Sequence, residues 1–219
     1  MVGFKSLNQA QINQVIGILR KEYPNVKYYL NFSTPVELLV AAILSAQTKD
    51  SVVNSLTPAL FSKYKTIENF ASASKSDLLK YTSKVSFADK KVENIIKACK
   101  IIQEKYSGKV PNKMDDLVSL PGVGRKTANT ILINAYGIIE GIPVDTWVIK
   151  LAYRIGLSES KKPDDIEKDL MKELPRAYWS KIAYILKEHG HKVCQSTVPI
   201  CSSCPIRSLC PRNGVVESK

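Results

Sequence analysis

The sequence of 219 residues predicts an all-α protein of about ten helices joined by short loops. Three observations predict this class. Apolar residues recur three and four positions apart along most of the chain, as they do on one face of an α-helix. Polar capping residues, prolines and glycines separate these segments. No alternation of apolar and polar residues continues long enough to form a useful strand.

The charge balance indicates a polyanionic partner. The chain carries 32 Lys and Arg against 20 Asp and Glu, a net charge of +12, which favours nucleic acid or an anionic membrane surface. No apolar run reaches the roughly 18 residues of a membrane helix, and Met1–Lys5 lacks the apolar core of a signal peptide. We therefore expect a soluble, intracellular protein without a membrane partner. Nothing in the sequence predicts oligomerisation, so we expect a monomer.

The first two helices are marked by capping patterns. Ser6-Leu7-Asn8-Gln9 matches a capping box and predicts a helix to about residue 21. Thr34-Pro35-Val36-Glu37 predicts a second helix, with Thr34 as the cap and proline at the first helical position. This second helix is apolar nearly all round, so we expect it in the middle of its domain.

Two segments then interrupt the apolar pattern and are candidate site walls. The second helix ends in polar residues around Gln47, whose side chain is long enough to enter a base stack; alternatively this is a solvated helix end, with Asp50 capping the next helix. Phe87 lies at the apex of a later turn, as a wedge or as a packed staple. Cys99 falls on the following apolar stripe and is expected in the core.

The segment Leu120–Thr127 lies between two helical patterns and predicts a helix-hairpin-helix. Pro121 ends the first helix, and Gly122 and Gly124 can take positive φ and reverse the backbone. A glycine turn before a helix N-terminus can bind phosphate, and Arg125 and Lys126 add two cations there. The alternatives are a plain helix connector for the glycines and a surface charge for the lysine.

Two further patterns carry chemistry. Asp145 precedes an apolar helical stripe, so it is an N-cap by position, but a carboxylate there can also serve as a charge or a base. Four of the five cysteines follow near the end of the chain as Cys194-x6-Cys201-x2-Cys204-x5-Cys210. This clustering favours metal ligation over disulfides, and the consecutive spacing suits a 4Fe-4S cluster, with zinc as the alternative.

Together these features resemble the endonuclease III branch of the helix-hairpin-helix DNA glycosylases. The resemblance covers nearly the whole chain from Asn31 onward. It is carried by Leu120–Ala128 as the hairpin, Val144-Asp145-Thr146 as the catalytic aspartate motif, the cysteine spacing as the cluster loop, and Leu44–Asp50 as the helix end that fills the gap left by a flipped base.

The resemblance implies two helical domains with a DNA-binding cleft between them. Residues 28–137 would form a six-helix barrel ending in the helix-hairpin-helix, and residues 1–27 plus 138–219 would form the iron-sulfur cluster domain. It also implies a base-excision-repair DNA glycosylase with associated AP lyase activity, acting on double-stranded damaged DNA. The expected substrates are oxidised or ring-fragmented pyrimidines and abasic sites.

The resemblance assigns roles residue by residue. Lys126 would attack the sugar carbon C1′ and form a Schiff base that leads to β-elimination, and Asp145 would stabilise developing positive charge or assist proton transfer. The expected DNA contacts are Gln47 in the duplex gap, Phe87 as the wedge, and Gly122, Val123, Gly124 and Arg125 on phosphate. The expected cluster ligands are Cys194, Cys201, Cys204 and Cys210.

The chain departs from the family pattern at the residue after Asp145-Thr146, where Trp147 replaces a common histidine. The cluster loop, residues 195–200, has no Lys or Arg. Two rival functions stay open: a monofunctional glycosylase of the same fold that removes thymine or uracil opposite guanine, and a structural DNA-binding protein without catalysis. Lys126 favours the bifunctional enzyme over the first rival, because a monofunctional relative lacks the lysine.

Overall fold

The computed structural model describes residues 3–219 as an all-helical chain without strands, which confirms the predicted fold class. The helices are α1 Gln9–Glu22, α2 Pro35–Ser45, α3 Asp50–Lys63, α4 Ile67–Ser72, α5 Lys75–Thr82, α6 Ala88–Lys105, α7 Met114–Val118, α8 Arg125–Tyr136, α9 Thr146–Ile155, α10 Pro163–Glu173 and α11 Trp179–Lys192. Short 3-10 turns occupy Arg176–Tyr178 and Cys201–Ser203.

The chain divides into two compact units. The first combines the described residues up to Tyr28 with Gly141–Lys219, and the second is Tyr29–Glu140. No helix within residues 3–219 has the length and hydropathy needed to cross a bilayer. Part of the segment Met1–Lys5, where we expect no signal peptide, lies outside the described residues.

Helix α2 forms the centre of the second unit. Its residues 38–44 are buried without a break, and the helix packs against α3, α6 and α8. The start of α2 is as predicted: Pro35 is the first helical residue, and the Thr34 hydroxyl accepts a hydrogen bond of 3.2 Å from the Glu37 N–H. Cys99 on α6 is fully buried, which confirms its place in the core.

The predicted cap of α1 and the alternative of an Asp50 cap for α3 are both wrong. The N-cap of α1 is Asn8 instead of Ser6, and Asn8 and Gln11 form the reciprocal capping box with two hydrogen bonds of 3.0 Å. The later start leaves Leu7 outside the helix, where it is buried and its N–H donates to the Gly156 carbonyl. Asp50 does not cap α3 either, because it is the first residue of that helix. At this position its carboxylate interacts favourably with the positive end of the helix dipole.

In the first unit, α9 packs against α10 and α11, and α1 packs against α11. One contact fixes α9 on α11 at short range. A Cβ placed on Gly190 of α11 would lie 2.3 Å from Cε3 of Trp147, so the indole occupies the space of a side chain at position 190. The Trp147 ring centroid also lies 4.7 Å from that of His191. The tryptophan that departs from the family pattern is therefore a packing residue between two helices.

Candidate functional site

The hairpin between α7 and α8 has the predicted position, with one difference in its backbone. Gly122 has φ of +82°, as expected for a reversing turn. Gly124 has φ of −96° and ψ of 176°, so the expectation of a positive φ there is wrong. The reason is that Gly124 is the N-cap of α8, and N-cap residues adopt an extended backbone.

The two glycines differ in what a side chain would meet. A Cβ on Gly122 would lie 3.1 Å from the Asn94 side chain, whereas a Cβ on Gly124 would meet nothing within 4 Å. Both glycines are exposed, while Val123 between them is buried. Val123 thus anchors the turn to the protein, and the missing side chain of Gly124 leaves the N-terminus of α8 open to solvent.

The first turn of α8 is electropositive. Arg125 is exposed and Lys126 is half-buried, and they are the first two residues of the helix. No acidic residue lies in this first turn. The N-cap residue, Gly124, has no side chain that could accept a hydrogen bond from the N–H groups of this turn. Two cations therefore add to the positive end of the helix dipole, which favours an anion at this place.

Asp145 caps α9 in the first unit, as its position predicts. Its Oδ1 atom accepts hydrogen bonds of 2.9 Å from the N–H groups of Trp147 and Val148. Both bonds end on Oδ1, so Oδ2 lies outside them, and the residue is half-buried. As a carboxylate, Asp145 places a negative charge at the positive end of the α9 dipole.

Gln47 and Phe87 share an unusual backbone. Both have positive φ, +54° for Gln47 and +56° for Phe87, in the left-handed backbone region that non-glycine residues rarely adopt. Gln47 is exposed just beyond α2, and Phe87 is the N-cap of α6 with 68% of its surface exposed. Phe87 is therefore not a packed staple. Each strained turn presents one large side chain to solvent, and strain of this kind gathers at functional positions.

The four clustered cysteines line one small cavity in the first unit. Apolar side chains form much of the remaining lining, among them Ile155, Val193, Ile200 and Ile206. His189 and three arginines, Arg154, Arg207 and Arg212, also line the cavity. In the described part of the chain, no three Cys, His, Asp or Glu side chains converge closely enough to hold a single metal ion. The fold thus brings the predicted ligands around one shared cavity, and they do not converge on a single point. These ligands are Cys194, Cys201, Cys204 and Cys210.

Burial disfavours the ionised form of three of these thiols. It raises the pKa of Cys210 to about 11, and it raises the pKa values of Cys194 and Cys204 as well. Protein groups alone therefore leave these three thiols neutral at physiological pH. A bound cationic centre is what would convert them to thiolates.

Arg154 holds the cysteine loop from α9 and was not predicted from the sequence. It is only 8% exposed, and its guanidinium donates to the carbonyls of Cys194 at 3.2 Å, Gln195 at 2.7 Å and Ser196 at 3.0 Å. Lys150 on the same helix hydrogen-bonds to Ser196. Helix α9 therefore places two cations beside residues 195–200, which contain no Lys or Arg of their own.

His189 supports the loop from α11. Its Nδ1 atom lies 2.9 Å from the Tyr23 hydroxyl, and its Nε2 atom lies 3.6 Å from the Cys204 sulfur. Burial lowers the pKa of His189 to about 4, so the imidazole is neutral at physiological pH. The histidine thus connects α1, α11 and the cysteine loop.

Comparison with known proteins gives the same family at the level of sequence and of structure. Residues 40–176 match the profile of the HhH-GPD superfamily base excision DNA repair protein. The chain is 41% identical over 198 residues to endonuclease III of Synechocystis sp., with 90% of each chain covered.

Two solved structures extend this likeness. A trapped endonuclease III–DNA covalent intermediate has a TM-score of 0.90 and 35% identity, over 94% of this chain and 97% of that one. A thermostable thymine-DNA glycosylase has a TM-score of 0.83 over 93% of this chain and 96% of that one, but only 19% identity, so that likeness shows the fold alone. The profile match and the high identity over nearly the whole chain settle the family: this protein belongs to the endonuclease III family of helix-hairpin-helix base excision DNA repair proteins.

Proposed function

We propose that this protein is a bifunctional DNA glycosylase and AP lyase that removes oxidised pyrimidines from double-stranded DNA. The observation that carries the proposal is the half-buried Lys126 in the first turn of α8, directly after an open glycine turn, in a chain 35% identical to one trapped covalently on DNA. A lysine at that place separates the bifunctional reaction from the monofunctional rival. The structural rival without catalysis gives no reason for a nucleophile there.

In the proposed reaction the neutral Lys126 amine attacks C1′ of the extruded nucleotide. The C1′–N bond to the base breaks, the base leaves and takes a proton, and the attached amine loses a proton. The C1′–O4′ bond of the sugar ring then breaks, O4′ takes a proton, and the nitrogen lone pair forms the iminium at C1′. The negative charge of Asp145 stabilises the positive charge that develops on the sugar as the C1′–N bond to the base lengthens.

Strand cleavage follows from the iminium. A base removes a proton from C2′, the C3′–O bond breaks, and the strand leaves as a 5′-phosphate end. Water then hydrolyses the imine, which releases the unsaturated sugar aldehyde and restores the lysine.

The DNA contacts are proposed on the geometry of three turns. The open N-terminus of α8, with Gly122, Val123, Gly124 and Arg125, binds the phosphate backbone. Gln47 and Phe87, both exposed on strained turns, enter the duplex where the damaged nucleotide has been extruded. The net charge of +12 supplies the long-range attraction to DNA.

We also propose that the two compact units are the two domains of this family. The unit Tyr29–Glu140 is the helical barrel with the helix-hairpin-helix, and the unit that holds the four cysteines is the cluster domain. Because the substrate is DNA, we propose that the protein acts inside the cell. We also propose that it acts as a monomer, since a single chain contains all of the proposed site residues.

The four cysteines fit a 4Fe-4S cluster better than zinc. A single ion needs all its ligands to meet at one point, whereas a cubane offers each thiolate its own iron. Four thiols around one apolar cavity match the second arrangement. Bound there, the cluster would cross-link the segments around Cys194, Cys201, Cys204 and Cys210, and it would keep the thiols ionised.

The proposed activity is tested by borohydride trapping on a duplex with one thymine glycol and on a duplex with one abasic site. We expect a covalent protein–DNA adduct on both, because borohydride reduces the iminium to a stable amine. An undamaged duplex of the same sequence is the control. If neither damaged duplex gives an adduct, the lyase assignment is wrong and the monofunctional mismatch glycosylase takes its place.

Replacing one cluster ligand is expected to remove both cofactor and solubility. Cys204→Ser should give a colourless, poorly soluble protein, because the loop loses its cross-link and exposes the apolar cavity lining. Iron, sulfide and zinc content per chain, measured with the visible spectrum, are the readouts. Cys99→Ala is the control, since Cys99 is a core residue outside the loop and its loss should leave the colour unchanged. A brown, stable Cys204→Ser protein would contradict the assignment, and stoichiometric zinc in wild type would favour the alternative metal.

A further inference from the structure

One buried lysine connects the turns that carry Gln47 and Phe87. Lys91 lies in the first part of α6 and is only 6% exposed. Its Nζ atom donates hydrogen bonds to the Leu44 carbonyl at 2.7 Å and to the Thr48 hydroxyl at 2.9 Å. Leu44 lies in the last turn of α2 and Thr48 follows Gln47, so the ammonium holds both sides of the Gln47 turn.

The same lysine is bound to the Phe87 turn. Its backbone N–H donates to the Phe87 carbonyl at 3.1 Å. The Thr48 hydroxyl oxygen, which accepts from Lys91, also accepts from the Ser86 N–H at 3.1 Å. Thr48 is therefore the shared point: one oxygen receives a hydrogen bond from the lysine and another from the residue before Phe87.

The two turns need such support because of their backbone. Gln47 and Phe87 both have positive φ, and non-glycine residues stay in this region only where the surrounding structure fixes them. No side chain caps α6, whose N-cap is Phe87 itself. The hydrogen bonds of Lys91 and Thr48 thus supply what local sequence does not.

A plain structural role explains Lys91 poorly. Burial lowers the pKa of Lys91 to about 8, so at physiological pH the folded protein still contains a buried ammonium. This burial is unfavourable, because a charged group is more stable in water. An apolar residue would fill the same space on the α6 stripe without that cost. What only a long cationic donor provides is a link from α6 to the carbonyl and hydroxyl on the far side of the Gln47 turn.

We propose that Lys91 is a positioning residue for base extrusion, which fixes the Gln47 turn to the Phe87 turn so that both side chains enter the duplex in one register. This rests on the proposed roles of Gln47 and Phe87 in the gap and as the wedge. Lys91 does not take part in the chemistry at C1′. Its loss should therefore affect substrates that must be opened and spare a sugar that is already accessible.

The test compares two substrates for wild type and Lys91→Met, which keeps the aliphatic stem and removes the donor. On a thymine glycol duplex under single-turnover conditions we expect excision to slow about tenfold or more, since small displacements of positioning groups have effects of this size. On a single-stranded oligonucleotide with one abasic site, the rate of β-elimination should stay within about twofold of wild type. A 2-aminopurine opposite the lesion should also gain less fluorescence at saturating protein, because it unstacks less.

Lys100→Met is the matched control, because Lys100 is exposed on the same helix and its loss removes the same charge. It should leave the ratio of the two rates unchanged. Thr48→Val is the second variant, since it removes the shared oxygen while Lys91 keeps its hydrogen bond to the Leu44 carbonyl. It should slow duplex excision in the same direction, and it carries the test if Lys91→Met does not fold.

The outcomes separate this inference from the function on which it rests. Wild-type protein that cleaves neither substrate overturns the proposed function and the inference with it. If wild type is active and both variants slow the two substrates equally, Lys91 is structural only and the inference is wrong. Unchanged duplex excision in folded Lys91→Met or Thr48→Val overturns it as well.

Discussion

Lys126→Gln is expected to abolish the borohydride-trapped adduct and to lower strand cleavage by roughly three orders of magnitude or more, as loss of a nucleophile does elsewhere. An amide nitrogen has no basic lone pair with which to attack C1′, so no iminium forms. The fold should persist, because Lys126 is only half-buried in the first turn of α8. Affinity for damaged duplex should fall slightly, by the loss of one charge.

Arg125→Gln is the control for that loss of charge. Arg125 is the exposed neighbour of Lys126 at the same helix terminus. Its replacement should weaken binding and lower the salt slope by about one, while the adduct still forms. An adduct with Lys126→Gln at wild-type yield would mean that another amine is the nucleophile.

Asp145→Asn is expected to reduce turnover by roughly two to four orders of magnitude with little loss of DNA affinity or stability. The two structural hydrogen bonds end on Oδ1, and an asparagine oxygen can accept the same bonds from Trp147 and Val148. Only the negative charge is removed. Single-turnover excision and thermal unfolding, measured on the same preparation, separate the two roles of the residue.

Asp145→Ala completes the comparison, since it removes the cap together with the charge. It should lower the free energy of unfolding by about 1 kcal/mol relative to Asp145→Asn, while both variants lose turnover to the same extent. Turnover of Asp145→Asn equal to that of wild type would reduce Asp145 to a helix cap.

The features that the sequence predicts correctly are those with local causes. Thr34 and Asp145 cap their helices through N–H groups two or three residues along the chain, so the residue type and the following stripe are sufficient. The error at Ser6 arises where Ser6 and Asn8 both precede a glutamine by three residues. Burial of Leu7 decides between them, and burial is a property of the whole fold.

The supporting residues could not be predicted, because their partners are distant in the sequence. Lys91 bonds to Leu44 and Thr48, more than 40 residues earlier, and Arg154 bonds to carbonyls from residue 194 onward. The sequence does contain one signal. Both cations lie on the apolar stripe of an amphipathic helix, Lys91 beside Val92 and Ile95, a place that a solvated charge avoids. A cation on a core-facing stripe is worth testing as an internal hydrogen-bond donor.

The first unit combines an early and a late segment of the sequence, so its two parts are synthesised at different times. Its early residues and its late residues meet directly, for Lys5 and Asn213 exchange two hydrogen bonds of 3.0 and 2.9 Å between backbone and side chain. Helix α1 is therefore synthesised well before the rest of the first unit, because the whole of Tyr29–Glu140 is synthesised between them. That continuous unit can fold as it emerges. The cysteine loop is synthesised after that unit, so the helix-hairpin-helix can fold before the four clustered cysteines are available.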